Sequence, residues 1–299
     1  MGRLSWVAVP KGRFPERTRR GTVSGMTTQP SEREYVLGTD DGELHRLGFQ
    51  HRAWSASAAA LWERAGVHLG ARVLDVGCGP GFATLDLARM VGETGSVHGV
   101  EVSERFLGFL RGRTEHLALP HVTTQLDDVQ TMTLPAESFD VAWCRWVLCF
   151  LSEPDAAIAR VAAALRRGGR FAIQDYYRYE AVTMAPPSSA FARVVQAVHR
   201  SWVASGGDPD IGQRLPQMLE RAGLRVREVT PLVRMGRPGS IVWDWPPTFF
   251  RQYLPRLVAK GFLAPSDADA YWQDLADRSR DPAAFLATPP MVEILAEKP

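Results

Sequence analysis

Apolar and polar positions change period several times along this 299-residue chain, and each change marks an element. From Glu43, the residues Leu44, Leu47, Trp54, Ala58, Leu61 and Trp62 recur at helical spacing and predict a long helix, with ordered structure starting near Tyr35. Gly70 ends that stretch. Val73, Leu74 and Val76 are then β-formers in a short apolar run, the pattern of a strand buried on both faces of a parallel sheet. After Gly77, Gly79 and Gly81, the period becomes helical again from Phe82, with Ala83, Leu87, Met90 and Val91 on one face. Strand, glycine loop and helix form the first unit of a nucleotide-binding α/β domain, whose helix start offers N–H groups to a ligand.

The alternation of strands and helices continues. Ser96–Glu101, Val122–Leu126, Asp140–Cys144 and Arg170–Asp175 read as four further strands. Ser103 is a good N-cap after the first of them. Ser152 as N-cap, Pro154 in the first turn and Asp155 open a helix carrying Ile158, Val161, Ala162 and Leu165, which Gly168-Gly169 stops. Past Pro186-Pro187 the pattern predicts a helix over Ala190–Val203, a loop at Gly206–Pro209, and a helix bearing Leu215, Met218, Leu219 and Ala222 that ends at Gly223. A sixth strand is expected in Leu224–Val233 and the last in Met291–Glu297. Between them, Met235–Pro290 is an insertion dense in aromatics (Trp243, Trp245, Phe249, Phe250, Tyr253, Trp272, Phe285), with a helix opened by Ser266 and Asp269.

Composition adds bounds. Apolar content of 45% and charged content of 23% are ordinary for a globular chain, and no apolar run approaches the roughly 18 residues of a membrane span. Cys78, Cys144 and Cys149 make no C-x-x-C pair and no even disulfide framework, which points to a reducing, cytoplasmic setting and to buried small residues. The net charge of +2 hides an asymmetry. Residues 1–30 carry six basic side chains against Glu16, a surplus of five, which leaves −3 for the remainder. With Pro10, Pro15 and Pro30 and no amphipathic period, this segment is expected to be a disordered basic tail, not a nucleic-acid arm.

The glycine spacing is G-x-G-x-G. Phe82 stands where a dinucleotide fingerprint has its third glycine, and Asp75 lies inside the strand end, where a pyrophosphate is disfavoured and a cation is favoured. The stretch VLDVGCGPG (Val73–Gly81) resembles motif I of the class I S-adenosylmethionine (SAM) dependent methyltransferases, and most of all their bacterial small-molecule members of the ubiquinone/menaquinone-biosynthesis-like group, some of which serve specialised metabolism. The resemblance implies a Rossmann-like α/β fold, with a seven-stranded sheet and an antiparallel last strand. It divides the chain into the tail (1–30), an N-terminal helical lid (31–65), a SAM-binding core (66–234), a helical aromatic cap (235–290) and the last core strand (291–299).

It also implies SAM as cofactor and S-adenosylhomocysteine (SAH) as product, with a set of cofactor contacts. Asp75, Gly77, Gly79 and Gly81 would hold the amino-acid end. Glu101, 26 residues after Asp75 and followed by Val102, would accept the ribose hydroxyls; capping the next helix is its blander role. Asp128 with Val129 would meet the adenine, one residue of register separating Asp128 from Asp127. Cys144 and Arg145 lie at the end of the fourth strand. Tyr35, Arg46 and Gln50 are either contacts to the methionine end or a solvated face; the last two sit on a different face from much of the apolar stripe.

The acceptor side is less defined. A hydroxyl acceptor benefits from a general base, and His199, Tyr177 and Arg145 are the candidates; no metal cluster is visible. The expected reaction is methyl transfer to an O, N or C atom of a small apolar or aromatic metabolite, by a monomer or homodimer, without nucleic acid or membrane as partner. The insertion is either a packed subdomain or a cap over the acceptor. Two rivals remain: a SAM-binding cyclase on the same fold, and a non-catalytic SAM-binding protein.

Overall fold

The computed structural model describes residues 39–299; the basic segment 1–30 and Tyr35 lie outside the described residues. Helix α1 (Asp41–Ala65) starts at Asp40, whose carboxylate accepts the Glu43 N–H at 2.9 Å, and stops at Gly66 in the left-handed region. The first unit follows as β1 (Arg72–Val76) and α2 (Phe82–Val91), then β2 (Ser96–Glu101), α3 (Glu104–His116) and β3 (Val122–Leu126). Ser103 caps α3 through the Phe106 N–H. Next come β4 (Phe139–Arg145), α4 (Pro154–Ala164) and β5 (Leu165–Tyr176). The second half runs through β6 (Thr183–Ala185), α5 (Ser189–Ala204), α6 (Leu215–Arg221), β7 (Arg225–Leu232) and β8 (Met235–Gly236). It closes with α7 (Ile241–Ala259), α8 (Pro265–Arg278), β9 (Phe285–Ala287) and β10 (Met291–Glu297).

Seven strands form one sheet in the order β3-β2-β1-β4-β5-β10-β7. The first five are parallel, and β10 runs antiparallel to both β5 and β7. The chain leaves β1 toward β2 on one side and returns to β4 on the other, so a crevice opens beyond the carboxyl ends of β1 and β4. One face of the sheet packs Val73, Val97, Trp143 and Leu295 against Leu61, Trp62, Leu87 and Val91 of α1 and α2. Trp62 and Trp143 meet edge to face at 5.3 Å.

A second, three-stranded sheet (β6-β9-β8) lies with α5, α7 and α8 in the cap. The aromatic-rich insertion is therefore not assembled from 235–290 alone. Strand β6 and helix α5, which precede it by dozens of residues, pack into it: Phe191 of α5 lies 6.1 Å from Phe250 and 6.0 Å from Tyr271.

Three local expectations are corrected. Leu165 does not end a helix but begins β5, because the Gly168-Gly169 pair is absorbed into that strand as an irregularity. Pairing slips there between Phe139 and Val141, and both glycines bond to Lys298 of the chain end. Ser152 does not cap α4; its hydroxyl donates to Gln130, which also receives the Glu153 N–H. Ser266 and Asp269 lie inside α8, which starts at Pro265 with no side-chain cap.

Candidate active site

A cavity of about 1070 Å³ lies beyond the carboxyl ends of β1, β2, β4 and β5. Its floor is the glycine loop and the strand ends. Gly77 has φ +64, and a Cβ there would fall 2.5 Å from Val147, so only glycine lets the loop turn this closely. Gly79, with φ +55, has open space on its Cα. At the floor's centre Glu101 is buried, with Oε2 accepting the Gly79 N–H at 2.9 Å and Oε1 the Ser103 N–H at 3.0 Å. A carboxylate has about four acceptor sites. One is spent on the loop and others on the N–H groups that open α3, and each oxygen keeps lone-pair capacity toward a vicinal diol.

Asp75 is also buried, and Thr84 donates to it at 2.6 Å. Burial pushes its carboxyl up to about 6, against the opposing pull of the Thr84 hydrogen bond and the Arg145 charge. Burial likewise raises Glu101, offset by the N–H groups it accepts. A buried carboxylate pair beside a glycine loop is costly without a partner, and it fits a cationic amino-acid group at Asp75 and a diol at Glu101. SAM carries both.

Arg145 leaves the end of β4 into the cavity wall. Its guanidinium lies 5.1 Å from the Trp146 ring, donates to His51 Nδ1 at 3.3 Å and reaches the Trp54 carbonyl at 3.5 Å. Burial brings it down to about 10, while Asp75 pulls the other way. His51 Nε2 bonds Asp86 Oδ2 at 2.8 Å, and this bond holds the Asp86 carboxyl low. The chain Asp86–His51–Arg145 thus fixes the guanidinium's position with both imidazole nitrogens engaged.

The roof is made by α1, α5 and α7. Trp245 stacks on Trp146 at 5.7 Å and meets Trp54 edge to face at 5.1 Å, and Tyr176 also stacks with Trp146 at 5.7 Å. Trp146 has φ +52, uncommon for so bulky a residue, and the stack holds it there. Gln50 Oε1 joins the two helices, accepting from Arg46 at 2.8 Å and from Trp245 Nε1 at 3.1 Å. Arg46 is buried, gripped by both oxygens of Glu43 at 2.7 Å.

The structure thus collects Gln50, Asp75, Gly77, Gly79, Glu101, Val102, Asp128, Val129 and Arg145 around one cavity. Asp127 lines it as well, so both members of the acidic pair after β3 are present. Gly81 caps α2 with φ +81 and abuts Leu110, and Cys144 is fully buried in β4; neither lines the cavity. Arg46 and Gln50 are not on a separate or solvated face. Residues 43, 46, 50 and 54 fall on one helical stripe, so the polar residues continue the buried side of Trp54.

Two catalytic candidates lie elsewhere. His199 of α5 lies 4.0 Å from Glu180, outside the lining. Tyr177 is 48% exposed, because β5 extends one residue further than expected and alternation turns Tyr176, not Tyr177, to the cavity. His51 and Tyr176 were missed. His51 had no spacing to mark it; for Tyr176 the strand's true end would have sufficed. Trp243 is buried with its Nε1 on Ser279, away from the cavity that Trp245 and Phe249 line. Among the described residues no cluster of His, Cys, Asp and Glu forms a metal site.

Residues 73–169 match the methyltransferase domain family. The chain is 31% identical over 219 residues to methyltransferase GfsG of Streptomyces halstedii, covering 73% of each protein. It is 35% identical over 103 residues to aklanonic acid methyltransferase DauC of Streptomyces sp. (strain C5), 34% of this chain and 47% of DauC. The chain thus spans about half the length of DauC. Among solved structures, the [4+2]-cyclase SpnF superimposes with a TM-score of 0.55 at 21% identity, covering 83% of this chain and 82% of SpnF. With its sheet order, its G-x-G-x-G loop between Asp75 and Glu101, and its likeness to GfsG, the chain belongs to the class I SAM-dependent methyltransferases.

Proposed function

We propose that this chain transfers the methyl group of SAM to a small, mainly apolar or aromatic metabolite. One observation carries the reading: a single cavity joins the carboxylate-lined strand ends to an aromatic roof built from α1, α5 and α7. SAM supplies an electrophilic methyl on a sulfonium, so the protein's task is position and desolvation. Glu101 holds the ribose diol, and Asp75 with the Gly77–Gly79 turn holds the amino-acid end. Asp128 and Val129 flank the adenine. Arg145, fixed by His51 and the Trp54 carbonyl, and Gln50 lie between cofactor and roof. Trp146, Tyr176, Trp245 and Phe249 clasp the acceptor and exclude water.

Among the described lining residues His51 is the one imidazole, and Asp86 and Arg145 occupy it. The acceptor's own nucleophilicity and in-line alignment then drive the displacement, and the proton lost from the methylated O, N or C atom leaves to solvent and not to a lining imidazole. The enclosure under an aromatic roof favours a small molecule over nucleic acid as acceptor, and among the described residues no helix is long and apolar enough to cross a membrane. We divide the chain functionally into lid (31–65), core (66–234 with 291–299) and cap (235–290), the cap borrowing β6 and α5.

The test is a screen of aromatic acceptors with methyl-labelled SAM. The expected result is one equivalent of SAH per labelled product. A product that forms only with SAM present yet carries no label would overturn methyl transfer in favour of a cyclase-type role. Tight SAM binding with no product from any acceptor would favour a binding protein.

A further inference from the structure

Helix α7 changes character along one face. Phe249, Tyr253, Arg256 and Lys260 are spaced i, i+4, i+7 and i+11, a single stripe, and all four line the cavity. The stripe is about 16 Å long at 1.5 Å per residue. It begins aromatic beside Trp245 and Phe249 and ends in two cations. Tyr253 lies between, its hydroxyl 2.9 Å from Ser201 Oγ on α5. Ser201 donates to the Val198 carbonyl at 2.9 Å, so the phenol must donate to Ser201 and keeps its own oxygen as an acceptor.

The opposite charge sits at the other end. The four carboxylates in the described lining, Asp75, Glu101, Asp127 and Asp128, all come from β1, β2 and the turn after β3. None comes from α5, α7 or the segment after it; Arg145 lines the cavity near Asp75, and Glu43 of α1, outside the lining, acts on Arg256 but is itself bonded to Arg46. Lys260 is exposed at the C-cap of α7, and among the described residues no carboxylate forms an ion pair with it. Cations in the last turn do suit the helix dipole. That accounts for their place along the axis but not for their place on the cavity stripe, since the last turn has solvent-facing positions as well.

We infer that the acceptor is an amphipathic anion: an aromatic or apolar body under Trp245 and Phe249, with a carboxylate, sulfonate or phosphate-like group held by Arg256 and Lys260. This deepens the reading of the cavity as an acceptor site and rests on it. The charge segregation would also orient the molecule, because an acidic group is repelled from the carboxylate-lined floor and drawn to the far end of the roof. The neutral, nucleophilic end of the acceptor then points toward the strand ends.

The test uses two fluorescent probes with one skeleton, 8-anilinonaphthalene-1-sulfonate and uncharged N-phenyl-1-naphthylamine, titrated into the full chain saturated with SAH. The sulfonate should bind about tenfold tighter, with a gap that narrows as salt rises. Lys260→Gln should shrink the gap and Arg256→Gln with Lys260→Gln should close it, while Trp245→Ala weakens both probes. Lys260 is exposed, so its single variant remains informative should the double variant fold poorly. Equal affinities in the wild type, a gap unmoved by the charge variants, or probe binding indifferent to Trp245→Ala would each overturn the inference. So would a tenfold loss of SAH affinity in Lys260→Gln, which would assign the cation to the cofactor. Failures are separable: absent SAH binding in the wild type counts against the methyltransferase reading, an absent probe gap against this one.

Discussion

On the floor of the cavity Asp75 and Glu101 are buried carboxylates, held by a hydroxyl and by backbone N–H groups of the loop beside them. On the roof the polar groups are few, and two of them tie one helix to another, Gln50 to Trp245 and Ser201 to Tyr253, while Arg46 is held within α1 by Glu43. The floor's geometry comes from contacts local in sequence and from parallel strand pairing. The roof's geometry comes from side chains separated by as many as 195 residues. A site built the first way fixes what is common to a family, the cofactor. A site built the second way can be repacked without disturbing the floor, and on the function proposed above it is where the acceptor would be chosen.

The sharpest break between the two regions should come from paired tryptophans. Trp243 and Trp245 are both buried, but only Trp245 lines the cavity. Either change to Ala should cost about 3–5 kcal/mol of stability by the usual range for buried aromatics. In the folded fraction, Trp243→Ala should leave acceptor kinetics as they were, whereas Trp245→Ala raises the acceptor KM and leaves SAM affinity within a few-fold. Thermal melts with two-substrate kinetics check this, and identical kinetic effects from both would dissolve the distinction between wall and core.

Glu101→Ala is the matching break on the floor. It removes both the proposed diol contact and the anchor of the Gly79 and Ser103 N–H groups. Charge-assisted hydrogen bonds of this kind are worth about 1.5–3 kcal/mol, so SAM affinity should fall about tenfold to a hundredfold by calorimetry. Unchanged affinity would remove the ribose assignment.

A gentler probe of the floor is pH. The Asp75 carboxyl is raised to about 6 by burial, so it is largely neutral at pH 5 and ionised at pH 8. A cationic cofactor group favours the ionised form, so binding below pH 6 must release a proton, and affinity should fall with a slope approaching about tenfold per pH unit. The sign is fixed: affinity rises with pH and levels off above about 7. Calorimetry in two buffers of different ionisation enthalpy measures the released proton. Uptake in place of release would show that no cation meets Asp75.

How far each region can be read from sequence follows from the same contrast. The bounds of β2, β3 and β10, the start of α2 and the Ser103 cap are all set by local period and glycine or cap chemistry, and the structure places them where the pattern does. Trouble begins where tertiary contacts outvote local signals. The pair Gly168-Gly169 reads as a helix stop, yet bonds to Lys298 pull it into β5. Arg46 and Gln50 read equally as cofactor contacts or as a solvated face, a choice that local period cannot make and that the packing of α7 on α1 makes. His51 gains its role from Asp86 and Arg145, neither of which any spacing connects to it. Tyr176 was one residue from the candidate Tyr177, and in a strand one residue is the whole difference between inside and outside.

The smallest expected effect decides what Gln50 is for. Its side-chain oxygen serves Arg46 and Trp245 at once, so it is the hydrogen-bonded link between α1 and α7 as well as part of the cavity wall. Gln50→Leu keeps the bulk and removes the acceptor, leaving two donors short of a partner at a cost of about 1–2 kcal/mol. If the residue acts as the link, amide hydrogen exchange should quicken in α7 and in the first turns of α1 while β1 and β4 stay protected, because the loosening is confined to the roof. Cofactor affinity should then drop only two- to threefold, well short of Glu101→Ala. Gln50→Glu is the control: it preserves both acceptor positions beside the Arg46 cation and should restore slow exchange. A variant that binds SAM tenfold more weakly with exchange in α7 unchanged would make Gln50 a cofactor contact, and the boundary between floor and roof would have to be redrawn through α1.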